Sequence, residues 1–88
     1  SAVSPAATLE NGKLHISWKA AGPGGNARIW VSSTNHFKTG GKDEYVLKET
    51  VPVAQQKAVV DVSKELSPFY KIVIETPENF LNYWIIIK

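Results

Sequence analysis

Residues 13–20 read KLHISWKA, and their alternation is unbroken. Leu14, Ile16 and Trp18 share one parity; Lys13, His15, Ser17 and Lys19 share the other. A period of two marks a half-buried β-strand, because successive side chains leave an extended backbone on opposite faces. The pattern predicts an apolar interior around Leu14, Ile16 and Trp18.

The same kind of segment recurs on both sides. Upstream, SPAATLENG reads as an edge strand with Pro5 at its start and Asn11-Gly12 as its turn. Downstream, AGPGGN is a loop, and ARIWVSS is a strand with Ile29 and Val31 on one side and Arg28 and Trp30 on the other. TNHFKTGGKDE is a long connection. YVLKETVPV and KAVVDVS are two more strands with a turn near residues 54–56, and FYKIVIE and NYWIIIK close the chain across TPENF. The best helical window, VSKELSPFY, is cut by Pro68 and too short to stand alone. Seven short strands between turn signals predict an all-β sandwich or barrel. No internal repeat or low-complexity tract interrupts them.

Bulk properties bound the function. Eighty-eight residues make a single domain over 1–88, with 43% hydrophobic residues, 20% charged ones and a net charge of +2. Scattered charges form no basic stripe, so nucleic acid is not an expected partner. The chain has no cysteine, which excludes a disulfide scaffold or a thiolate zinc site but not an oxidising compartment. No stretch has the roughly 18–20 apolar residues of a membrane span. We expect a segment excised from a larger protein.

LHISW and LSPFYKIVIE carry a resemblance to the fibronectin type III family. LHISW is similar to that family's second strand, which leads into an inward tryptophan. Leu66, Pro68 and Tyr70, followed by Ile72 and Ile74, are similar to the approach and start of its sixth strand. The resemblance spans Leu14 to Ile87 and implies a seven-stranded antiparallel β-sandwich, fibronectin type III-like or immunoglobulin-like. It implies that Tyr70 returns its hydroxyl to the preceding loop as a tyrosine corner. The family usually leaves a longer spacer between this proline and tyrosine; here Phe69 alone separates them, and an altered corner is expected. The second half also resembles small terminal β-sandwich modules of secreted Bacteroidetes proteins, often polysaccharide hydrolases. That likeness implies a secreted, periplasmic or cell-surface setting and supplies no catalytic residue.

The parts for catalysis are few. His15 falls on an outward position, and His36 lies in a loop. Only His36, Asp43 and Glu44 are close enough in sequence to suggest a metal, and three or more converging ligands would be needed. Ser32-Ser33-Thr34 has no paired base and suits local backbone bonding. GPGG lacks the Lys-Ser/Thr of a phosphate loop. Asp61, Glu75 and Glu78 read as ordinary surface carboxylates. We expect no enzyme, no cofactor and no metal.

Tryptophan points elsewhere. If Ile29 and Val31 face inward, Trp30 faces outward. In the family's arrangement the third, sixth and seventh strands lie side by side, so Arg28, Trp30, Lys71, Val73 and Glu75 share that outer face with one parity of the last strand. Both parities of NYWIIIK are apolar: Tyr83, Ile85 and Ile87, or Trp84 and Ile86. Either adds to an exposed apolar patch of the size that signals a partner. The contact set is Arg28, Trp30, Val73, Tyr83, Ile85 and Ile87, with a neighbouring domain as partner and either a monomer or weak self-association in isolation. Three alternatives stay open: a polysaccharide on Trp30, a secretion-sorting domain, and Phe37 folding back over Trp30.

Overall fold

The computed structural model describes residues 1–33 and 44–86. Seven strands run in chain order: β1 (Ala2–Glu10), β2 (Lys13–Ala20), β3 (Asn26–Ser32), β4 (Val46–Pro52), β5 (Lys57–Asp61), β6 (Phe69–Glu75) and β7 (Phe80–Ile86). They form two antiparallel sheets, β1-β2-β5 and β4-β3-β6-β7. A single 3₁₀ turn, Val53–Gln55, joins β4 to β5 where the sequence predicts a turn.

Alternation places the interior as expected. Leu14, Ile16 and Trp18 from β2 meet Val60 from β5 and Val62 just beyond it. Opposite them lie Ile29 and Val31 from β3 and Tyr70, Ile72 and Ile74 from β6; all are buried. The Trp18 indole N–H, which would be costly to bury unpaired, donates to the Val53 carbonyl at 2.9 Å. Tyr70 returns its hydroxyl to the preceding loop, donating to the Glu65 carbonyl five residues upstream at 2.8 Å. Burial pushes the Tyr70 phenol above its ordinary value of 10.0, since the charged form would be desolvated.

Two turns set the registers. Asn11 and Gly12, at φ 52° and 74°, form the left-handed two-residue turn that suits a twisted hairpin, and the β1–β2 ladder runs from there. Pro5 does not open β1. It lies within the strand, beside Ser4 at φ 56°, where the register shifts between Val3 and Ala6. A proline cannot donate to a ladder, and a bulge in an edge strand accommodates it. At the other end of the chain the Thr76 N–H donates to the Asn79 carbonyl at 2.8 Å, and this turn fixes β7 against β6. The Asn79 side chain also ties the two sheets together, its amide donating to the Ala2 carbonyl at 2.7 Å.

Candidate functional site

The outer face of the four-stranded sheet is built in rows, because residues paired across an antiparallel ladder point to the same side. One row runs Thr50, Arg28, Glu75, Phe80; the next Leu47, Trp30, Val73, Asn82; then Ser32, Lys71, Trp84; and last Phe69, Ile86. Arg28, Trp30, Lys71, Val73 and Glu75 therefore share this face as the sequence pattern predicts.

The last strand needs a correction. Tyr83 and Ile85, expected on the outer face, pack with Leu81 against the core instead. Tyr83 pairs with Ile72 and Ile85 with Tyr70, both inward, so the ladder leaves no choice. Trp84 and Ile86 take the outer face, 55% and 72% exposed, and Phe80 joins them at 66%. Ile87 lies outside the described residues, as does the segment 34–43 that includes Phe37. Phe80 is absent from the sequence-derived set because its strand is read there as starting at Asn82. The signal that locates it is the Thr76–Asn79 turn, from which Glu75 and Phe80 follow as the next pair.

Trp30 is half-buried, not openly displayed. Its indole N–H donates to Glu75 Oε1 at 2.9 Å, and the Arg28 guanidinium carbon lies 5.0 Å from its ring centroid. Arg28 Nη1 also approaches the same Glu75 oxygen at 3.5 Å. These three side chains hold one another: the carboxylate orients both ring and guanidinium, and the cation sits in the ring's quadrupole. Lys71 does the same one row on. It is buried to 6% exposure, with Nζ 4.9 Å from the Trp84 centroid and 5.7 Å from that of Phe69. Its aliphatic stem can lie along the sheet while the ammonium is held between aromatic rings.

The opposite outer face is chemically different. Its rows are Ala6, Ser17, Lys57; Thr8, His15, Val59; and Glu10, Lys13, Asp61. Small and polar side chains dominate, and Lys13 stands between two carboxylates. His15 is exposed there, as expected.

Chemistry-bearing groups do not converge among the described residues. Among the described residues no three of His, Cys, Asp or Glu lie close enough to hold a metal, and His36 and Asp43 fall outside them. Asp61 accepts the Ser63 hydroxyl at 2.6 Å and its N–H at 2.8 Å; these bonds, led by the hydroxyl, hold its carboxyl below the ordinary 3.8. Between β4 and the segment after β5 a pocket of about 110 Å³ is lined in part by Lys48 and Glu65, which pair at 2.6 Å. It is smaller than the roughly 300 Å³ at which ligand sites begin, whereas an open depression of about 440 Å³ lined in part by Arg28 and Glu75 is larger. Among the described residues no helix is long and apolar enough to cross a membrane. Comparison with protein-family models, curated proteins and solved structures finds no match for this chain.

Proposed function

We propose that this chain is a non-catalytic, fibronectin type III-like accessory module of a larger secreted or cell-envelope bacterial protein, a polysaccharide hydrolase by the resemblance of its second half. It docks on a neighbouring domain through the outer face of its four-stranded sheet. The sheet order supports the family reading, with the fourth strand paired to the third and not carried on the sheet of the first two. The Tyr70 corner supports it as well.

The observation that carries docking is the trio Phe80, Trp84 and Ile86, exposed together on the outer face of one strand. Isolated exposed apolar residues are ordinary, but three on one face of one strand, interrupted only by Asn82 and beside half-buried Trp30 and Val73, are what contact surfaces present. Aromatic residues and Arg are enriched in such surfaces, and Arg28 and Trp30 supply both.

A glycan platform is less well supported. Stacking a sugar needs an open aromatic face, and Arg28 lies over Trp30 while Lys71 lies over Trp84. Expressing the domain with the residues that flank it in its gene tests the choice. Docking expects the attached domain to melt higher than the isolated one, with Phe80→Ser and Ile86→Ser each removing part of the rise. An equal melting temperature with or without the flanking residues would discard docking. A tryptophan fluorescence change on adding an oligosaccharide, lost on Trp84→Ser, would establish the glycan reading in its place.

A further inference from the structure

The two sheets have four edge strands, and three of them are guarded. β1 carries Pro5 and a register shift between Val3 and Ala6. β4 carries Lys48, Glu49 and Pro52, and its pairing with β3 shifts between Ile29 and Trp30. β5 is five residues long, with Lys57 and Asp61 at its ends. Charges, prolines, bulges and short length are the devices by which edges avoid pairing with other chains. β7 has none of them: seven residues, FLNYWII, without a charge, a proline or a register shift.

The backbone of β7 has a definite polarity across the strand. Hydrogen-bonded and non-bonded pairs alternate along an antiparallel ladder. Thr76 and Asn79 form a bonded pair. Counting along the register, Ile74 with Leu81, Ile72 with Tyr83 and Tyr70 with Ile85 are bonded pairs too. Phe80, Asn82, Trp84 and Ile86 therefore turn their N–H and C=O groups away from β6. On that side no strand hydrogen-bonds to β7 among the described residues, and β1 comes close beside β7, where Asn79 bonds Ala2.

We propose that a second copy of this chain occupies this edge, β7 running antiparallel to β7 about a two-fold axis at Tyr83. Phe80 of one copy then lies opposite Ile86 of the other, and Asn82 opposite Trp84. The symmetry superposes even positions on even ones, so outward backbone groups meet outward backbone groups. Outer side chains likewise meet outer ones. A two-fold contact requires a patch that complements itself, and an uncharged strand brings no like charges together. Lys71 and Glu75, the nearest charges on the outer face among the described residues, sit one strand further in. The result is an eight-stranded sheet whose outer apolar face is doubled. Edge pairing leaves Phe80, Trp84 and Ile86 on the outer face, so it buries less than the area, on the order of 800 Å², that covering all three in both copies would remove. That is below the roughly 1,200 Å² of a stable specific interface, so the pair is weak and concentration-dependent.

This pairing does not rest on the docking reading: it uses backbone groups at an edge, whereas docking uses side chains on a face. Asn82→Pro separates them. It removes an N–H that serves the edge but not the β6 ladder, and it leaves Phe80, Trp84 and Ile86 in place. Sedimentation of the unmodified chain over a concentration series should show a mass rising from 9.7 kDa toward twice that value. Over the same series the amides of Phe80, Asn82 and Ile86 should gain at least about tenfold hydrogen-exchange protection, while those of Leu81, Tyr83 and Ile85 are protected throughout. Asn82→Pro should remain monomeric. A mass that stays at 9.7 kDa, exchange of those three amides that ignores concentration, or self-association undiminished in Asn82→Pro would each overturn the proposal. If Asn82→Pro does not fold, the exchange series on the unmodified chain decides.

Discussion

The two outer faces of this sandwich rest on the same interior and are built to opposite ends. The three-stranded sheet shows water Ser17, His15, Thr8 and a Glu10–Lys13–Asp61 row. The four-stranded sheet shows Trp84, Ile86 and Phe80, with Trp30 and Lys71 drawn into cation–aromatic contacts beside them. A domain with no role beyond holding its own core would need only the first kind of face twice. The second kind costs solubility, and natural surfaces keep such patches where something covers them. What distinguishes the faces is thus their polarity, and substitutions on each should separate stability from the contact we propose.

The largest effect should come from the shared interior and should be blind to which face is watched. Trp18→Ala removes a buried ring and the indole bond to Val53, and should cost about 3–5 kcal/mol. That is a large share of a small domain's total, so chemical denaturation should shift far toward unfolding. A mutant unfolding like the parent would mean that the two sheets do not depend on a common core.

Tyr70→Phe should come next, at about 1 kcal/mol, by leaving the Glu65 carbonyl without its phenol donor. It also has a pH signature. The Tyr70 value is raised in the fold, so its contribution is fully present below the unfolded value near 10.0 and is lost as pH rises through the folded one. The difference in stability between parent and Tyr70→Phe should therefore shrink on going well above pH 10. A difference that stays constant there would show that the phenol ionises as easily folded as unfolded.

A matched pair then tests the comparison itself. Ile86→Ser and His15→Ser are exposed changes on the two faces, and each should alter stability by less than about 1 kcal/mol. Only Ile86→Ser should reduce binding of an apolar fluorescent dye. Equal dye binding by both variants would erase the distinction between the faces.

The smallest effect belongs to the polar sheet. Ser63→Ala removes the hydroxyl bond that holds the Asp61 carboxyl low, and an NMR titration should find that carboxyl moved back toward 3.8. Because the folded value is depressed, the associated stability is present above 3.8 and fades as pH falls through the folded value. An unchanged Asp61 titration in Ser63→Ala would assign the shift to the backbone N–H alone.

Alternation alone determined much of this molecule. In β2, β3, β5 and β6 apolar residues occupy one parity strongly enough that Leu14, Ile16, Trp18, Ile29, Val31, Val60, Ile72 and Ile74 could be assigned to the interior residue by residue. Each of them is buried. Turn chemistry separated the strands, and the number of strands follows from it. β7 was not legible in that way, because Leu81, Tyr83 and Ile85 are as apolar as Trp84 and Ile86. A slip of one residue reverses every side chain in a strand, and where both parities are apolar no pattern resists the slip. The Thr76–Asn79 turn and the ladder to β6 decide it, bringing Tyr83 and Ile85 inward against Ile72 and Tyr70 and putting Trp84 and Ile86 on the surface. The partnerships of Trp30 with Glu75 and of Lys71 with Trp84 join residues on different strands, so only the pairing of those strands creates them. A period of two specifies a face only when the two faces differ in polarity; elsewhere the neighbouring strand makes the choice.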